Sequence, residues 1–149
     1  MTYDRVTDDR RPRGAPGWSL QTPNQKLMRA GEAMLAGLGL AASAQLRPKL
    51  LYTDVIEDVA DQHAVIINRN RQASMILPGE TLLVCEMVPA LYAAIAANEA
   101  EKAAPGLTLV DVQMIGAAGR LYMSGTTQNV KLGLAEIERV LASIEGRDG

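Results

Sequence analysis

Phenylalanine is absent from this 149-residue chain, and there are only one tryptophan, one cysteine, one histidine and four tyrosines. With 48% hydrophobic residues and so few aromatics, the core has to be built from Ala, Leu, Val, Ile and Met, whose small side chains let backbones approach closely. The single cysteine, Cys85, excludes an internal disulfide, and together with the single histidine it is too little for a zinc site. Any Ser-His or Cys-His mechanism would have to use His63, yet nothing marks a nucleophile beside it and Asp61 could do no more than orient its ring. His63 therefore reads as a polar residue at the start of a strand. Cys85 reads as a small core hydrophobe with a raised pKa. No apolar run is long enough to span a membrane, and the first residues lack the apolar segment of a secretory signal. A net charge of -2, with Arg5 to Arg13 interleaved with Asp8 and Asp9, leaves no basic footprint for nucleic acid. The expectation is a cytoplasmic protein with no metal, no cofactor, and neither nucleic acid nor membrane as partner.

The length suits one domain with a genuine core. Residues 1–17 are rich in Asp, Arg, Pro and Gly and read as a mobile arm; residues 18–149 read as the domain. A helix is expected from about Gln25 to Leu35, after a possible cap at Thr22 or Asn24. Residues 49–59, "KLLYTDVIEDV", and 63–70, "HAVIINRN", look like strands because they are β-branched and apolar. A Pro78-Gly79 turn leads to the apolar strand "TLLVCEM". An Ala-rich helix follows Pro89 and ends at Pro105-Gly106. On it Leu91, Ile95, Asn98 and Lys102 form one row whose last turn points to solvent or to another subunit. Strands "LTLVDVQM" and "RLYMS" come next. The last helix is marked by Val130, Leu134, Ile137, Leu141 and Ile144 at spacings of four and three. A βαββα order of this kind predicts an α+β fold, an antiparallel sheet with helices on one face.

Between the last two strands lie Gly116, Ala117, Ala118 and Gly119. The loop lacks the Lys-Ser/Thr of a P-loop and opens a strand instead of a helix, so a phosphate cradle is disfavoured. A tight hairpin and a close approach between symmetry-related copies remain as its explanations.

The stretch "GRLYMSGTTQNVKLGL" resembles the shell proteins of bacterial microcompartments. Gly119 stands at the family's loop glycine, Gly125 at its turn glycine, and Val130 and Leu134 at core positions of the last helix. Thr126 stands where an Asp commonly caps that helix, and Thr caps too. "AANEAEKAAPG" is similar to the end of the family's first helix, where an acidic residue and a lysine four positions later sit at the hexamer edge: Lys102 fits the lysine, and Asn98 replaces the acid. The resemblance covers about residues 81–145. It implies a ferredoxin-like, circularly permuted domain of the ethanolamine- and propanediol-utilisation type, with residues 50–76 supplying the missing terminal element. It also implies a non-enzymatic subunit of a homohexamer that tiles with other shell proteins into a sheet. Gly116, Ala117, Ala118 and Gly119 would line a central pore that admits small metabolites, and Asn98 and Lys102 would lie at the inter-hexamer edge. The alternative is a PII-like trimeric nucleotide-binding signalling protein. Against it stand the missing polar loop between the central strands and the missing basic cluster.

Overall fold

Four strands hydrogen-bond in the order β1-β2-β4-β3, and every neighbouring pair is antiparallel. The computed structural model describes residues 23–41 and 44–148. They fall into two units, divided between Ala42 and Ser43. The first holds helix α1, Pro23–Gly37, which extends the expected helix by two residues at each end. The second holds β1 (Lys49–Ile56), α2 (Asp61–Asn70), β2 (Thr81–Val88), α3 (Tyr92–Ala103), β3 (Thr108–Gln113), β4 (Gly119–Gly125) and α4 (Thr127–Ser143). The arm expected over 1–17 and the proposed caps at Thr22 and Asn24 do not fall among residues whose side chains are described.

One reading of the sequence is overturned: residues 63–70 belong to a helix, α2. Ala64 and Ile67, three positions apart, turn inward onto the sheet, while Val65 and Ile66 stay largely exposed. A spacing of three satisfies a helix and not a strand, so packing outweighs the β-propensity of the Val-Ile-Ile run. Asn68 then fixes the chain that follows. Its side-chain amide donates to the Ile76 carbonyl at 2.8 Å and accepts from the Ile76 N–H at 3.0 Å. Residues 73 and 74 bond to the backbone of β3, which covers that edge of the sheet.

The strands of β2 and β4 alternate between two cores. Leu83, Cys85 and Met87 of β2, with Leu121 and Met123 of β4, face α3 and α4. Leu82 and Val110, with Val84 and Tyr122 partly buried, face α2 and its flanks, Val59 and Ile76. Thus α3 and α4 cover one face, as the order of elements predicts, and α2 covers part of the other. The inward face of α3 consists of Ala93, Ala96, Ala97 and Ala100. This realises the small-residue core that the composition requires. Helix α4 starts with Thr126, whose side chain accepts from the Asn129 N–H at 3.2 Å, so Thr does serve as the cap.

The two ends of this unit lie side by side. Gln45 Nε2 donates to the Glu145 carbonyl at 2.7 Å, and the Arg147 and Arg47 N–H groups donate to the Gln45 and Arg147 carbonyls at 3.0 and 2.9 Å. The end of α4 therefore abuts the start of β1. A chain cut between α2 and β2 and joined here would keep every strand pair, which is the geometric meaning of a circular permutation.

Candidate functional site

Strands β3 and β4 have to be bridged across one strand spacing, and residues 114–118 do this at one end of the sheet. Gly116 adopts φ +87°, and nothing lies within 4 Å of where its Cβ would be. It is glycine because of its backbone conformation, not for want of space. Ala117 is exposed and Ala118 half-buried. Gly119 has a different reason to be small. It is buried, and a Cβ there would meet the Ala90 carbonyl oxygen at 2.3 Å. Its missing side chain serves packing within the chain, leaving Gly116, Ala117 and Ala118 as the accessible part of the loop.

The sequence reading passed over the neighbour of these residues. Ile115 is 90% exposed and Met114 39%. Apolar residues directly before the glycine were the available signal. Beside the loop lies a mostly apolar cavity of about 590 Å³, walled by Leu46, Val88, Pro89, Leu91, Met114 and Ala117 together with Arg47 and Lys49. Arg120, next to the loop in sequence, pairs through Nε with Glu86 Oε2 at 3.2 Å.

The second predicted location is the outer face of α3. Asn98 and Lys102 are both exposed there, as is much of Leu91 and Ile95 in the same row. The lysine does have an acidic partner, but it is Glu99. Lys102 Nζ lies 2.6 Å from Glu99 Oε1, and Asn98 Nδ2 donates to the same oxygen at 2.7 Å. The hydrogen bond from Lys102 holds the Glu99 carboxyl below the usual range. Asn98 thus steadies the pair without charge. The i, i+3 spacing of Glu99 and Lys102 was the signal for this.

His63 lies on the exposed side of α2, and Cys85 is fully buried. Burial pushes the Cys85 thiol up to about 12, with the charge of Glu138 adding to it, so its role is packing. Among the described residues no group of three His, Cys, Asp or Glu is placed to hold a metal, and no helix is long and apolar enough to cross a membrane.

No protein-family model matches the chain. Individual proteins do. The carboxysome shell protein CcmP of Synechococcus elongatus is 41% identical over 119 residues, which are 80% of this chain and 55% of that protein. The carboxysome shell protein CsoS1D of Prochlorococcus marinus subsp. pastoris is 37% identical over 119 residues, 79% of this chain and 46% of that one. Among solved structures, the double ringed trimeric shell protein MSM0271 from the RMM microcompartment superposes with a TM-score of 0.81 at 62% identity, over 86% of this chain and 62% of that one. The fused permuted hexameric shell protein MSM0275 from the same kind of compartment gives a TM-score of 0.75 at 44% identity, over 85% of this chain and 64% of its own. The chain spans about half the length of the carboxysome relatives it matches. None of these four is a nucleotide-binding signalling protein, and the PII-like reading is set aside. By sequence and superposition the unit after Ala42 is a bacterial microcompartment shell domain, and the chain belongs with that family, one of whose solved members is permuted.

Proposed function

We propose that the chain is a structural, non-enzymatic subunit of a microcompartment shell in the bacterial cytoplasm, and that its loop at 116–118 borders a central passage for small metabolites. The observation that carries this reading is the loop itself: an exposed apolar tip, Ile115, beside residues with almost no side chain, next to an open, mostly apolar cavity. A monomer has no use for a nearly fully exposed isoleucine and an uncovered cavity at the same end of its sheet. Neighbouring copies around an axis would cover both and leave Gly116, Ala117 and Ala118 at the centre. With Arg120 held by Glu86, such a passage selects by size and backbone polarity more than by charge. The Glu99–Lys102 pair with Asn98 lies on a separate helix face and is assigned to the edge between rings, where further copies or other shell proteins would meet. Six copies would close a ring built from single domains of this kind.

The test is the mass in solution by light scattering, followed by negative-stain imaging of the same sample. A mass near six times the 16.0 kDa protomer, with sheets or hexagonal particles, is the expected outcome. A monomer with no higher assembly overturns the reading.

A further inference from the structure

Helix α2 covers only part of its face of the sheet, and where it stops a cavity of about 280 Å³ remains. His63, Ile66, Ile67 and Asn70 of α2 form one wall; Asp111 and Gln113 of β3 and Tyr122 of β4 form the other. The cavity belongs to neither the loop nor the α3 edge.

Its unusual member is Asp111. The residue is 4% exposed and sits directly opposite Tyr122 in the β3–β4 register, just after the bulge at Leu109/Asp111. Gln113 Nε2 donates to Oδ2 at 2.9 Å. Oδ1 is closed off from solvent and has no partner, and Asp111 enters no ion pair among the described residues. Burying a carboxylate oxygen with no donor costs more than an apolar residue of the same size would. No donor among the described residues reaches that oxygen, and the same carboxyl lines the cavity, where it can take a donor from a bound molecule.

The walls say what kind of donor fits. A metal ion is excluded by the shortage of ligands among the described residues. An anion would face Asp111. The volume exceeds the roughly 30 Å³ share of one water and lies at the small end of ligand pockets. Tyr122, the register partner of Asp111, lines the same cavity, where a cation can gain from the π face of its ring, and Ile66 and Ile67 offer methyl groups to a short carbon chain. We propose that this cavity binds a small primary ammonium compound, its ammonium group on Asp111 and its carbon chain against Ile66 and Ile67. His63 and Asn70, both on the exposed side of α2, complete the lining of the cavity. A shell subunit with such a site would hold a cationic metabolite on the sheet face away from α3 and α4, independently of any central passage.

The probe is n-propylammonium chloride, titrated into the isotopically labelled full chain at fixed ionic strength and followed by NMR. The expected result is saturable shifts of the Gln113 side-chain amide and of the Asp111 and Tyr122 backbone signals, with 1-propanol and propionate inactive at the same concentrations. Asp111→Asn removes the charge but not the shape, and binding should weaken about tenfold or more, as for loss of a charge-assisted hydrogen bond. Should that variant fail to fold, Ile66→Trp fills the cavity from a position that is 58% exposed and should abolish the shifts. The absence of saturable shifts, equal shifts from 1-propanol, or binding unchanged in either variant overturns the proposal. The solution mass of the protein is read separately, so failure here leaves the shell reading standing.

Discussion

Gln45 and Glu145, 100 positions apart, are joined by a 2.7 Å hydrogen bond from the Gln45 side chain to the Glu145 carbonyl. Arg147 strengthens the same junction through Nε, which donates to the Ala44 carbonyl at 3.0 Å. Between them Gly146 lies against the backbone of residues 45–47. A Cβ there would fall 2.7 Å from both the Arg47 nitrogen and the Gln45 oxygen.

The junction predicts the cost of disturbing it. Gly146→Val has to push two backbones apart and should destabilise the domain by about 1–3 kcal/mol. In thermal unfolding this lowers Tm by several degrees, roughly 4–8 °C per kcal/mol for a domain of this size. An unchanged Tm would mean that the two ends of the domain separate freely.

Two loop glycines separate by mechanism. Gly119→Ala collides with the Ala90 carbonyl and should cost about 1–3 kcal/mol. Gly116→Ala meets open space and pays only for its positive φ, about 1 kcal/mol. Denaturant midpoints of the two variants rank them. Equal losses would argue against the tight packing under Gly119.

Ala118→Trp should leave folding and oligomer mass near wild type while altering permeation of small solutes through assembled shells. A large loss of oligomer would place this loop in a tight contact between copies instead of at a passage.

Lys102→Ala should leave Tm nearly unchanged, because exposed pairs contribute little, and should reduce sheets in electron micrographs. Lowering the pH tests the same edge. Glu99 has its pKa depressed in the folded state, so its favourable pairing is present above the unfolded carboxyl range and is lost as pH falls through the depressed value. Sheets should therefore weaken in acid before the subunit unfolds. Sheets that persist in Lys102→Ala would remove this residue from the edge.

Cys85 gives an alkaline counterpart. Its folded pKa is raised from 9.0 to about 12, so the thiol's contribution to stability is intact below pH 9 and declines as pH rises toward 12. Cys85→Ala should show a shallower alkaline loss of stability than wild type. Ellman's reagent at pH 8 should react only after denaturant is added; rapid reaction of the native protein would contradict the burial.

Several elements were legible from residue order alone. The α4 period, the strands 81–88, 108–113 and 119–125, and the Ala-built core follow from local spacing and composition, because amphipathic periodicity and side-chain volume act within a few residues. The sequence likewise placed Lys102 on the solvent face of α3. Only the tertiary structure decided that 61–70 is a helix, since the inward sites for Ala64 and Ile67 exist only once β2 and β4 have formed a surface beneath them. The same holds for the reason behind Gly119, whose constraint is a carbonyl 29 positions earlier, and for the choice of Glu99 as the partner of Lys102. Contacts between distant segments leave no periodic trace in the chain. The unpartnered oxygen of Asp111 and the seam between Gln45 and Glu145 are therefore properties of the fold.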